Sequence, residues 1–176
     1  NRDVEKKLRE CLRENHYDAW IIHNTFPAMS PCVYELALNQ PAPVIHYMHN
    51  YRSGCLNGVF YRDGAPCFSC QGGNYLPGIM RACWRKNAAY SSLAAAVLHQ
   101  TRRMGTWNRF SSYIAISQRQ RELLIQTGIP EDKIRVIPHF IRQHPSPAPG
   151  APRRDVLYAG RLTQEKGVLQ LVQAWE

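Results

Sequence analysis

Four short apolar runs alternate with longer helical stretches, and this alternation confines the chain to one class of fold. The runs are residues 18–23 (DAWIIH), 43–48 (PVIHYM), 112–116 (SYIAI) and 133–137 (KIRVI). Each has strand length, and the first lacks the polar alternation of a strand with one wet face. It therefore reads as a strand covered on both faces, as in a parallel sheet. The connections are too long for hairpins, so the runs belong to parallel βαβ units and the fold class is α/β. A fifth run, 155–159 (DVLYA), opens after a Pro/Ala/Ser-rich stretch at 143–152 that has no core-forming content.

The helices between the runs carry their own signals. Val4, Leu8, Cys11 and Leu12 recur at helical spacing up to about Glu14. Ser30-Pro31 opens a helix that stops near Asn39, with Ser as cap and Pro at the first helical position. Helices follow at about 78–84 and at 87–103, the latter including the Ala-rich SSLAAAVLHQ. Ser117 caps the next, which ends at the glycine stop Gly128. Thr163 caps a last helix carrying Val168, Leu171, Val172 and Trp175. At 176 residues the chain holds one domain with a real core and is short for two.

Periodicity disappears from residue 49 to about residue 76, a stretch rich in Gly, Asn, Asp and Cys. A loop of that length is either functional or held by something other than a core. Cys55, Cys67, Cys70 and Cys83 fall here in the pattern C-x11-C-x2-C-x12-C, while Cys11 and Cys32 stand alone. The C-x2-C knuckle with two further thiolates suits a closed tetrahedral shell, hence a structural zinc with no open catalytic position. The alternatives are partly buried thiols, or a disulfide formed on oxidation. No secretory signal precedes the segment, since 1–15 is a charged amphipathic stretch, so a disulfide framework is the weaker alternative.

The formal net charge is +9. A basic surface favours anionic partners. The arginines are scattered, with neither a Lys/Arg run nor an RNP-like aromatic signature, so nucleic acid is not the expected partner. No stretch approaches the ~20 apolar residues of a membrane span.

The most informative segment is 155–167 (DVLYAGRLTQEKG). Ligands of open α/β sheets bind beyond the carboxyl ends of strands, and Gly160-Arg161 sit at such an end. Lys166 lies in the first turn of the expected helix, where a cation opposes the helix dipole by up to ~1 kcal/mol. An anion gripped by Arg161, Lys166 and the free helix N–H groups would resolve that conflict, and a diphosphate is the natural candidate. The competing reading is a solvated helix start.

Gly160-Arg161-Leu162 followed by Glu165-Lys166-Gly167 closely resembles the "GRL-x-x-EKG" opening of the second domain in glycosyltransferase family 4, also called the glycosyl transferases group 1 family. The first part agrees along its length. His23-Asn24-Thr25-Phe26-Pro27 with Ser30-Pro31, His49-Asn50-Tyr51-Arg52 with Cys55 and Asn57-Gly58, and Arg62-Asp63-Gly64 resemble family segments. So do Cys67 and Cys70, Cys83 with Arg85, Gly105-Thr106-Trp107, Tyr113-Ile114-Ala115 and Gly128-Ile129-Pro130. The resemblance implies an incomplete amino-terminal Rossmann-like domain of a two-domain GT-B fold over 1–140, with a Cys-rich insertion at 50–85. A linker at 141–153 and the first strand and helix of a second, nucleotide-sugar-binding Rossmann-like domain at 154–176 would follow. The usual first strand and Gly-rich loop, and the later "E-x7-E" segment, would lie outside this chain, which would be inactive alone.

The same resemblance implies the chemistry. Gly160, Arg161 and Lys166 would hold the donor diphosphate. His49, just past the strand 43–48, would approach the donor sugar, with Asn50, Tyr51 and Arg52 on the acceptor side; the competing reading is a histidine that anchors the irregular loop by backbone hydrogen bonds. His46 is expected in the core, and His23 and Asn24 at a strand end either anchor a loop or touch substrate. Transfer would be retaining, from a nucleoside-diphosphate sugar to a glycan or lipid-linked acceptor, without a catalytic metal, in cell-surface polysaccharide or lipopolysaccharide assembly. The location would be cytoplasmic; from the basic charge, Arg102, Arg103 and Arg109 either meet an anionic inner-membrane face or form a solvated basic face. A non-enzymatic, zinc-stabilised nucleic-acid-binding module is the alternative. A Rossmann oxidoreductase lacks its G-x-G-x-x-G, and no G-x-S-x-G elbow surrounds Ser117.

Overall fold

The computed structural model describes residues 2–26, 31–141 and 157–175. They fall into two compact units, one within Asn1–Phe60 and Phe68–His139, the other within Tyr61–Cys67 and Phe140–Glu176.

The first unit is built on a parallel four-stranded sheet in the order β1-β2-β5-β6, where β1 is Trp20–Ile22, β2 Val44–Tyr47, β5 Ser112–Ala115 and β6 Ile134–Val136. The α/β class with a Rossmann-like parallel sheet is therefore the observed one. Ile22, His46, Tyr113 and Ile134 stand side by side in register on one face, and all four are buried. Ile21, expected to be covered, is 59% exposed. β1 is an edge strand of the described sheet, and Ile21 points to the face opposite the buried Ile22.

Helices α1 (Arg2–Glu14), α2 (Cys32–Leu38), α4 (Ala88–Arg103), α5 (Thr106–Arg109) and α6 (Gln118–Gln126) link or flank these strands. Val33, Tyr34 and Ala37 of α2, Trp107 of α5 and Leu124 of α6 join the sheet residues in the main core. The cap read from sequence at Ser117 is present, Thr163 makes no side-chain cap bond, and Asn87 caps α4 without having been read as a cap. Asn87 Oδ1 accepts from Tyr90 N at 3.0 Å, and Ser117 Oγ from Gln120 N at 3.1 Å. Pro31 is the cap position of α2, one residue later than expected, and Ser30 lies outside the described residues.

The irregular stretch is better packed than its composition suggested. It contains α3 (Leu76–Met80) and, with α4, a second core of Leu56, Cys70, Tyr75, Ala94, Ala95 and Leu98. Ser53 and Gly54 press against the turn after α6. Ser53 Oγ lies 2.8 Å from Thr127 Oγ1, and a Cβ on Gly54 would stand 2.4 Å from Thr127 Cγ2. Arg102 ties the two together, donating from Nη2 to Ser53 O at 2.9 Å and to Thr127 O at 2.7 Å.

The second unit contains the hairpin β3 (Tyr61–Arg62) and β4 (Ala65–Pro66), a 3-10 turn Gln164–Lys166 and α7 (Val168–Gln173). Asp63 and Gly64 have φ of 49° and 84°, so the hairpin turns through the left-handed region that Asp-Gly favours. The expected strand 155–159 lies partly outside the described residues, and 157–159 are not in a strand. The expected helix from Thr163 is split. Gly167 at φ 71° closes the 3-10 turn, and α7 starts only after it.

Candidate functional site at the carboxyl edge of the sheet

β1 and β2 run parallel with Ile22 opposite His46, so the residues just beyond them emerge together. His23 Nδ1 and His49 Nε2 are 2.8 Å apart. The Tyr47 ring stacks on both imidazoles, with centroids 5.0 Å and 4.8 Å away and planes within 17° and 21°. Past β6, His139 Nδ1 lies 3.2 Å from Tyr47 Oη. Asn50 Nδ2 donates to Asn24 Oδ1 at 3.2 Å, a second tie between the same two strand ends. His49 and His23 are exposed, so this edge is open to a ligand. The partial burial of His49, with His23 and His139 nearby, holds its imidazole below the usual range and so mainly neutral near pH 7.

His46 is in the core, as expected. It packs in a triangle with the Trp107 and Phe110 rings, and burial lowers its pKa to about 4. Asn50 anchors as well as faces the edge, since its Oδ1 accepts from Arg52 N at 3.1 Å. Tyr51 packs on Phe60 and is half-buried. The guanidinium of Arg52 sits 4.8 Å from the Phe26 ring and 4.1 Å from the Trp84 ring, and Nη1 donates to Leu56 O. Its Nε is buried without a partner, and desolvation lowers its pKa to about 10. Phe26 and Trp84 also line a cavity of about 290 Å³ with Arg85, Tyr90 and Leu93. Nothing in the sequence brings Phe26, Arg52 and Trp84 together, because each comes from a different irregular segment.

The remaining expected residues are placed as follows. Arg161 and Lys166 are both exposed in the second unit, and Arg161 Nη2 is 3.6 Å from Glu165 Oε1. Lys166 ends the 3-10 turn instead of opening an α-helix, so the dipole conflict argued from the sequence does not arise. Tyr158 Oη donates to Arg161 O, and a Cβ on Gly160 would meet that hydroxyl at 3.0 Å, which gives Gly160 a local steric reason. Cys55 and Cys70 are buried in two separate clusters of the first unit, and Cys67 belongs to the second unit. The Cys55 thiol donates to Asn57 Oδ1 at 2.9 Å. Burial pushes the Cys70 thiol up, with Cys55 and Cys83 nearby adding to the effect, so its thiolate is disfavoured. Among the described residues no group of three or more His, Cys, Asp or Glu is arranged to hold a metal ion.

Open parallel α/β sheets bind ligands beyond the carboxyl ends of their strands, and the family comparison is with a domain of this fold class. The model of Glycosyltransferase Family 4 matches residues 3–143. The chain belongs to glycosyltransferase family 4. The match spans the whole sheet of the first unit and its carboxyl-edge residues, so the chain carries a glycosyltransferase domain. No curated protein and no solved structure gives a significant match. Among the described residues no helix is long and apolar enough to cross a membrane.

Proposed function

We propose that the protein transfers a sugar, with retention, from a nucleoside-diphosphate sugar to a glycan or lipid-linked acceptor. The observation that supports this most is His49 at the carboxyl edge of the parallel sheet in a family 4 domain. At that edge His49 presents its second ring nitrogen to a sugar hydroxyl. Asn50, Tyr51 and Arg52 follow on the acceptor side, where the Phe26–Trp84 cavity has the apolar and aromatic walls that stack on a sugar ring or hold an acyl chain. Residues 1–140 act as the acceptor-side domain, 141–153 as linker and 154–176 as the start of the nucleotide-sugar domain.

In this reading Arg161 and Lys166 neutralise the leaving diphosphate. Arg161 is free to do so because its pair with Glu165 is exposed, and such pairs contribute ~0–1 kcal/mol. A diphosphate offers more charge and more acceptor oxygens. The chain's own work is positioning and charge stabilisation, with no protein nucleophile required.

The setting we propose is cell-surface polysaccharide assembly at the cytoplasmic membrane face. Two of the three arginines assigned to that face have structural partners. Arg102 holds Ser53 and Thr127, and Arg109 Nη1 pairs with Glu35 at 2.7 Å, which leaves Arg103 exposed for membrane contact. Zinc on Cys55, Cys67, Cys70 and Cys83 is supported by spacing alone. One zinc per chain that Cys67→Ser removes supports it, and metal-free protein with an unchanged unfolding curve removes it. The transfer reading is tested by screening nucleoside-diphosphate sugars on the full-length protein, with acceptor-dependent release of nucleoside diphosphate as the readout.

A further inference from the structure

We propose that His23 is a positioning residue that fixes the ring orientation and proton placement of His49, so that the two imidazoles meet the substrate as one unit. The inference rests on the reading that His49 touches the donor sugar.

The geometry leaves little freedom. His23 and His49 extend from adjacent parallel strands whose register is set by backbone hydrogen bonds at Trp20 with Val44 through Ile22 with His46. At 2.8 Å the Nδ1 of His23 and the Nε2 of His49 share one hydrogen bond, and a bond between two imidazole nitrogens holds one proton. The outward nitrogens, His23 Nε2 and His49 Nδ1, then have opposite roles. If His49 donates from Nε2, its Nδ1 is an acceptor and His23 Nε2 carries a proton. If His23 donates, the roles reverse. Either way one ring dictates whether the other accepts from or donates to a sugar hydroxyl.

The rings cannot easily turn away. Tyr47 stacks on both, and its hydroxyl is held by His139 Nδ1 at 3.2 Å. The Asn50–Asn24 bond clamps the backbone on either side. The titratable groups bearing on His49 are His23 from the end of β1, Tyr47 and the buried His46 from β2, and His139 from beyond β6. None of these is a carboxylate, so a proton that arrives on one ring opposes a proton on the other, consistent with the lowered His49 value.

The test uses full-length protein labelled with ¹⁵N-histidine, whose ring shifts report tautomer and protonation, titrated from about pH 5 to about pH 9. Wild-type His49 is expected in one tautomer. In His23→Ala, His49 becomes a tautomer mixture and titrates closer to free imidazole, and kcat falls about tenfold with donor KM little changed. His23→Asn, whose side-chain amide can replace Nδ1, keeps the tautomer and most of the rate. Identical His49 tautomer and titration in wild type and His23→Ala overturns the proposal, as does full kcat in His23→Ala when His49→Ala is impaired. If His23→Ala shifts the His49 tautomer but neither His23→Ala nor His49→Ala changes kcat, the pairing stands and the assignment of His49 to the sugar fails instead.

Discussion

His46 shows what burial does to a titratable group that the site does not use. It packs against Trp107 and Phe110 with Nδ1 lacking a partner, and its pKa is about 4 against 6.5 for an open imidazole. Between those values the unfolded chain binds more protons than the folded one. Stability therefore falls as pH drops from about 6.5 to about 4 and is level above that window. The loss amounts to roughly 3 kcal/mol at most. Urea unfolding at about pH 7 and about pH 4.5 reads it. His46→Phe removes both the proton site and the orphaned nitrogen, so it is expected to flatten the acid slope at little cost near neutral pH. The neighbouring residue is handled differently. Tyr47 is half-buried, one step along the strand, and points its ring to the exposed pair His23 and His49.

Among elements, the stretch from residue 49 to residue 76 is held by packing and by one arginine. Leu56, Cys70 and Tyr75 give it a core with α4, and Arg102 fastens Ser53 to Thr127. Arg102→Met keeps the stem but removes both charged donors, and is expected to cost about 2–3 kcal/mol as a lowered urea midpoint. The four strands of the first unit's sheet and the cap Ser117 were legible in the sequence because each follows from local pattern. The β3–β4 hairpin was legible too, from Asp63-Gly64, but was not read. The second core was not legible, since it depends on Tyr75 reaching Ser53 O and on Leu56 meeting α4, contacts between distant segments. The 3-10 turn ending at Lys166 also escaped the reading, although Gly167 is the residue that makes it. At the site, His49 was legible from its place past a strand. Its bond to His23 was not, because it depends on the pairing of β1 with β2.

For the molecule as a whole, the charge of +9 says less than it first suggests. Arg109 pairs with Glu35, Arg119 with Glu122 and Arg121 with Glu131, and Arg102 is bonded to two carbonyls. All but the Arg119–Glu122 pair, which lies within α6, tie separate segments together, which argues for a folded, structurally used set of arginines over a binding tail. The family match covers the whole sheet of the first unit. The most direct test of the account is the steady-state rate of sugar transfer by full-length wild type and by His49→Ala, Arg161→Ala and Lys166→Ala, using the donor that the screen selects. All three variants should unfold at the wild-type urea midpoint. Transfer should fall about a hundredfold or more in each, the loss expected when a preorganised contact to developing charge is removed. Wild-type rates in all three would contradict it.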